Sequence, residues 1–300
     1  VSTIITTHSL TKSYGDRTVV DGLDLRVPEG CVYGFVGPNG AGKSTTMKML
    51  LSLVRPTRGE VRVMGRRMDR STRRELLGSI GSLIETPPAY AHLTGAENMR
   101  LVQRLLRLGD GRVDRAVRTV RLQDHLDKRV RAYSLGMKQR LGIAMALARE
   151  PRLLVLDEPA NGLDPAGIDE MRHLIKRLAD DGITVMVSSH LLDEVDRTAT
   201  VLGILGGGRL LFQGTRDELF SRSVPDVLID TSEPERAAAA TEPWGGTLDE
   251  GTVRVPGLDH PATAEVVARL VDARVDVYGV RREDRSLEDV FMDLTRGRGL

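Results

Sequence analysis

Residues 31–44 read CVYGFVGPNGAGKS. The first six are apolar or small without alternation, the pattern of a strand buried on both faces. GPNGAGKS at 37–44 then fits G-x-x-x-x-G-K-[ST], and a helical pattern runs from Lys43 to about Val54. Strand, glycine loop and helix, in that order, form the context in which this motif holds phosphate. Gly37, Gly40 and Gly42 let the backbone turn its N–H groups inward around phosphate oxygens, with Pro38, Asn39 and Ala41 completing the loop. The helix adds the positive end of its dipole. Lys43 is placed to reach β- and γ-phosphates, and the Ser44 hydroxyl to ligate Mg²⁺. Taken alone the stretch could be a glycine-rich turn with an accidental lysine; the flanking strand and helix argue against that.

Two further buried-strand runs follow, separated by the helical AGIDEMRHLIKRLADDG at 166–182. RLLVLDEPANGLDP at 152–165 ends its apolar part at Asp157, which suits a carboxylate holding the same Mg²⁺, and Glu158 stands next to it to orient or deprotonate a water. ITVMVSSH at 183–190 ends at His190. A lone histidine there is commonly a surface residue, but the carboxyl ends of strands are where an open α/β sheet binds its ligand. His190 is therefore a candidate γ-phosphate contact. Strands alternating with helices predict an α/β protein with a mainly parallel sheet covered on both faces.

The amino-terminal runs TIITTHSLTKSY, RTVVDGLDLRVPEG and GEVRVMGRR read as short strands broken by Gly, Pro and Asp. Residues 86–150 read as helical. Near 221 the texture changes to an Ala-rich segment, a strand TVRVP, a helix PATAEVVARLVDA, a strand VDVYGVRR and a last helix SLEDVFMDLT. The expected division is a large domain at 1–220 and a small α/β domain at 221–300.

Composition sets limits. With 40% hydrophobic residues, 28% charged residues and a net charge of +1, the chain is an ordinary globular protein without a global field for nucleic acid or acidic lipid. A single cysteine, Cys31, excludes an internal disulfide framework and fits a reducing cytoplasm. No run is long and apolar enough to cross a membrane, so a membrane role is expected to come through a partner.

YSLGMKQRLGIAMALA at 133–148 opens with small polar groups and continues into an apolar helix body. Ser134 is a natural N-cap, and a helix N-terminus with a hydroxyl also suits an anion. With this stretch added, residues 9–219 resemble the ATPase subunit of an ABC transporter, every motif in order. The resemblance implies a P-loop ATPase domain with a mainly parallel core sheet, an antiparallel β subdomain and a helical subdomain at about 86–150. It implies that Tyr14 stacks on adenine, that Thr45 and Thr46 join the phosphate contacts, and that Asp157 and Glu158 are the Mg²⁺ carboxylate and the catalytic glutamate. Asp164 falls in the loop that crosses to a partner, and His190 matches the switch histidine. Ser134, Gly136 and Gln139 match the signature LSGGQ-x-QR, which faces nucleotide bound by the other subunit; Leu135 and Met137 depart from it. In IGSLIETPPAYAHLTGAENM the family's glutamine, a Mg²⁺ ligand, is Glu85. The form of that segment and the SLEDVFMDLT tail are similar to the bacitracin- and lantibiotic-immunity branch and to related drug exporters.

The expectations are then ATP and Mg²⁺ as cofactors, a second and identical ATPase subunit, and a separate membrane permease contacted by 85–98. They include attachment to the inner face of the cell membrane and export of an antibiotic, peptide or lipid-like compound. Nucleic acid is not an expected partner. A soluble ABC ATPase acting on ribosomes or nucleic acid is the rival; such proteins usually join two ATPase units, and this chain has one phosphate loop.

Overall fold

The computed structural model describes residues 2–191, 195, 197–220, 224–283 and 287–296. The chain separates into two compact units, 1–215 and 216–300. The expected boundary at 220/221 abuts residues 221–223, which lie outside the described residues.

The first unit holds two sheets. An antiparallel sheet is built from β1 (Thr3–Tyr14), β2 (Arg17–Leu23), β3 (Arg26–Pro28), β5 (Arg58–Val63) and β6 (Arg66–Arg67), in the order β2-β1-β5-β6 with β3 also on β1. The second has the order β11-β10-β4-β9-β8-β7. It comprises β4 (Val32–Val36), β7 (Ile80–Leu83), β8 (Leu153–Asp157), β9 (Thr184–Ser189), β10 (Val201–Gly206) and β11 (Arg209–Thr215). All its pairings are parallel except β10–β11 at the edge.

Every residue of β4, β8 and β9 is buried, as continuous apolar runs require. Alternation still sorts them. Leu153, Val155 and Met186 join one core with Ile5, Leu10, Val61 and Met47 beneath the antiparallel sheet. Leu154, Leu156, Val185 and Val187 join another with residues of α5 (Leu135–Leu147) and α6 (Pro165–Asp180).

α1 (Lys43–Leu50) is shorter than the pattern to Val54 suggested. Ser52 takes a left-handed φ of 56°. The N–H groups of Leu53 and Val54 then turn back to the Lys48 carbonyl, which closes the helix. A one-turn α2 (Arg73–Leu76) precedes β7. The span expected to be helical over 86–150 resolves into α3 (Gly95–Leu106), α4 (Asp110–Thr119) and α5, with short 3₁₀ turns between. Residues 86–94 stay non-helical because Pro87 and Pro88 interrupt the pattern. α3 starts at a capping box in which Thr94 and Glu97 exchange hydrogen bonds, and those bonds hold the Glu97 carboxyl below the usual range.

The second unit is a four-stranded antiparallel sheet, β13-β14-β12-β15. Its strands are β12 (Asp226–Thr231), β13 (Thr247–Asp249), β14 (Thr252–Val255) and β15 (Val277–Glu283). Helices Pro234–Thr241 and His260–Asp272 supply Ala237, Val266 and Leu270 to a core with Val227, Ile229, Val253 and Val255.

Candidate nucleotide site

The carboxyl ends of β4, β8 and β9 bring the 37–44 loop, Asp157, Glu158 and His190 together. After β4 the chain turns through 37–42 into α1, whose N-cap is Gly42 with φ 100°. A Cβ on Gly42 would meet the Val19 carbonyl oxygen at 2.8 Å, and one on Gly37 the Leu205 carbonyl oxygen at 2.5 Å. Glycine is required at both positions by close backbone approach, and at Gly42 by the left-handed conformation as well. Pro38, Asn39 and Gly40 are exposed, while Ala41 is buried at the base of the loop.

Lys43 is 5% exposed and folds over the loop. Its Nζ donates to the Gly37 carbonyl at 2.7 Å and lies 3.5 Å from Glu158 Oε1. Glu158 Oε2 is 2.9 Å from His190 Nδ1. One carboxylate thus bridges the loop lysine and the histidine of the next strand. Glu158 holds a left-handed φ of 47°, uncommon for a non-glycine residue, and this bend turns its side chain out of the strand line.

Ser188, in β9, ties the two acids together. Its hydroxyl donates to Asp157 Oδ1 at 2.6 Å and accepts from the Glu158 N–H at 2.9 Å. Asp157 is 7% exposed, so its orientation is fixed in a nearly dry setting. Asp157 and Ser44 offer hard oxygen ligands, a carboxylate and a hydroxyl. That donor set fits Mg²⁺, which takes one or two protein oxygens and completes its shell with water and substrate phosphate. Among the described residues no group of three or more His, Cys, Asp or Glu side chains is assembled for a metal.

Glu85 follows β7, the strand that pairs with β8. It has φ 65°, is well exposed, and accepts a hydrogen bond from Lys48 Nζ at 2.5 Å. That bond is the main reason the Lys48 ammonium is held above its ordinary pKa.

Two expectations are corrected. Thr46 is fully buried, and its hydroxyl donates to the Gly42 carbonyl at 2.9 Å, so this side chain closes the helix turn and is not a phosphate contact. Gln139 is 6% exposed, with Oε1 buried and, among the described residues, without a hydrogen-bond partner; the helix directs it inward, away from the exposed Ser134. Thr45 remains half-buried on the first turn of α1.

Ser134 caps α5, its Oγ accepting from the Met137 N–H at 3.2 Å. Gly136 on the first turn would place a Cβ only against Leu163 at 3.7 Å, so that face is open. Asp164 caps α6 through the Gly167 N–H at 3.0 Å. Tyr14 ends β1 with its ring half exposed and Lys12 Nζ 4.7 Å from the ring centre. No hydrogen bond or ion pair among the described residues joins Ser134, Gly136, Asp164 or Tyr14 to the lysine loop. Sequence reasoning missed Ser188 and Lys48. The serine pair before His190 and a second lysine on α1 were the available signals.

A family model described as ABC transporter matches residues 20–161. The chain is 40% identical to the bacitracin transport ATP-binding protein BcrA of Bacillus licheniformis, over 99% of each chain. It is 36% identical to the daunorubicin resistance ATP-binding protein DrrA3 of Streptomyces coeruleorubidus, over 98% of this chain and 96% of that one. Among solved structures, cbiO1 of Clostridium perfringens, part of the ABC transporter complex cbiONQ, superposes with a TM-score of 0.68. It is 27% identical and covers 74% of this chain and 92% of its own. Phosphate loop, paired acids and histidine at one sheet edge, together with full-length relatedness, make this chain a member of the ABC transporter ATP-binding subunits, the ATPases of those transporters.

Proposed function

We propose that the protein binds MgATP as a dimer of identical subunits and drives a separate membrane permease that exports an antibiotic-like compound. The observation that carries this reading is the bridge from Lys43 through Glu158 to His190 at the ends of three adjacent strands. A γ-phosphate in the loop competes with Glu158 for Lys43. Glu158, released from the lysine, orients and deprotonates the attacking water, while His190 stays within reach of the same carboxylate. Ser44 and Asp157, with Glu85 as a further oxygen donor, would hold Mg²⁺, whose role is to neutralise charge building on the phosphates. The backbone of 37–42 and Thr45 cradle the phosphates, and Tyr14 stacks on adenine. Ser134 and Gly136 at the open tip of α5 meet the nucleotide held by the second subunit, and Asp164 stands at that same crossing.

Transport of a drug-like compound is inferred from relatives named for bacitracin transport and daunorubicin resistance. No described helix is long and apolar enough to cross a membrane, so attachment to the inner membrane face would run through the permease, contacted by residues 85–98. The C-terminal unit is assigned an accessory role. The rival ribosomal reading has no support among these relatives.

Glu158→Gln tests the mechanism. The substitution keeps the shape and removes the base, so hydrolysis should fall by roughly 10²–10⁴-fold. It also removes the charge that competes for Lys43, so ATP should bind more tightly and the protein should elute as a dimer on sizing with ATP. A variant saturated with ATP that elutes as a monomer overturns the dimer mechanism.

A further inference from the structure

The net charge of +1 conceals a local concentration. Residues 55–75 carry eight arginines against Glu60, Asp69 and Glu75, a local balance of +5. The three acids are already engaged. Glu60 pairs with Arg62 and Arg67, and Glu75 with Arg66. Asp69 accepts from the Ser71 hydroxyl and from the Ser71 and Thr72 amides, which pulls its carboxyl down to about 2. Arg55, Arg58, Arg70, Arg73 and Arg74 enter no ion pair among the described residues and are exposed. Four of these five line a cleft of about 750 Å³ between the turn after α1 and the segment β5–β6–α2. Leu53 sits in the same lining, 64% exposed.

We propose that this arginine cleft docks on the anionic phospholipid headgroups of the membrane beside the permease. The inference rests on the transport reading for its location. The Lys48–Glu85 contact sets the last turn of α1 against the start of the 85–98 segment assigned to the permease, and the cleft begins at Met49. The cleft thus lies beside the segment assigned to the permease, where the proposal sets the membrane surface. Charge decides between lipid and protein. Cytoplasmic loops of membrane proteins carry an excess of Lys and Arg and would repel the cleft. The cytoplasmic leaflet carries anionic lipid and attracts it. The arginines are exposed and none is buried at the cleft floor, which suits surface headgroups better than an enclosed soluble phosphate. Leu53 supplies an apolar side chain at the rim, as interfacial surfaces do.

The test is flotation of the full chain with vesicles of phosphatidylcholine alone or of equimolar phosphatidylcholine and phosphatidylglycerol. The protein should float with the anionic vesicles only, and added salt should release it. Arg58→Gln, Arg70→Gln and Arg73→Gln together should weaken binding on the order of a hundredfold, from roughly fivefold per arginine. Arg118→Gln, Arg269→Gln and Arg281→Gln together make the same charge change on exposed arginines outside the cleft and should have a much smaller effect. Both triple variants should keep basal ATPase activity, which shows that they fold. Equal flotation on neutral vesicles, equal loss in both triples, or release by inorganic phosphate beyond that by chloride of the same ionic strength overturns the proposal. Vesicle binding needs no permease, so a failure here is distinct from failure of the transport reading, which would show as no co-purifying membrane subunit.

Discussion

At the scale of the residue, the proposed nucleotide binding turns on Lys43. It is buried, fixed by the Gly37 carbonyl and balanced by Glu158. Lys43→Ala removes charge-assisted hydrogen bonds to phosphate, each of about 1.5–3 kcal/mol. ATP affinity measured by titration calorimetry should fall at least tenfold, while ADP, lacking the γ-phosphate, should lose less. Cys31 gives a pH prediction. Burial raises its thiol from 9.0 to about 11, and its Sγ donates to the Pro28 carbonyl at 3.2 Å. The folded state therefore keeps a proton that the unfolded chain releases. That contribution to stability is whole below pH 9 and is lost as pH rises towards 11. Urea unfolding across this interval should show a steeper decline than in Cys31→Ala, where the buried Tyr33 hydroxyl, also raised by burial, is left to contribute. Lys43, Asp157, Glu158 and His190 were legible in the sequence because each ends a recognisable run. Ser188 and Lys48 were not, since their meaning lies in partners 31 and 37 positions away.

At the scale of the element, one end of α5 carries an observed cap and a proposed contact. Ser134 caps it, and the same hydroxyl belongs to the tip assigned to the opposite nucleotide. The two are separable. Ser134→Ala removes the cap and should cost about 1 kcal/mol in thermal or urea unfolding. Ser134→Asp keeps a good cap and should leave stability unchanged, yet its charge opposes phosphate, so ATPase activity should fall well below that of Ser134→Ala. If the aspartate variant hydrolyses ATP normally, Ser134 is a cap alone. The buried strands were readable as unbroken apolar runs, and their alternation between two cores follows from the pleat. The helical segment was overextended in the sequence reading. Periodicity continued past Leu106, whereas Arg107 takes a left-handed φ of 54° and ends α3 there.

At the scale of the whole molecule, each unit has a core of its own. Residues 216–300 bury Val227, Ile229, Val253, Val255 and Val266 completely, which is the requirement for independent folding. The isolated fragment should unfold cooperatively in a thermal scan followed by circular dichroism. The fragment 1–215, which holds every residue of the candidate site, should bind ATP as the full chain does. The change in texture near 221 was visible in composition, but where the chain divides depends on contacts that composition does not encode. Within the first unit, α1 has a mechanical consequence. Its first turn carries Lys43 and Ser44, and its last turn carries Lys48 clasped to Glu85. Eight residues at 1.5 Å rise make a strut of about 12 Å. A tug on the segment beginning at Glu85 would reach the phosphate loop along this rod, with the salt link as the clutch, and Lys48→Met would let that clutch slip.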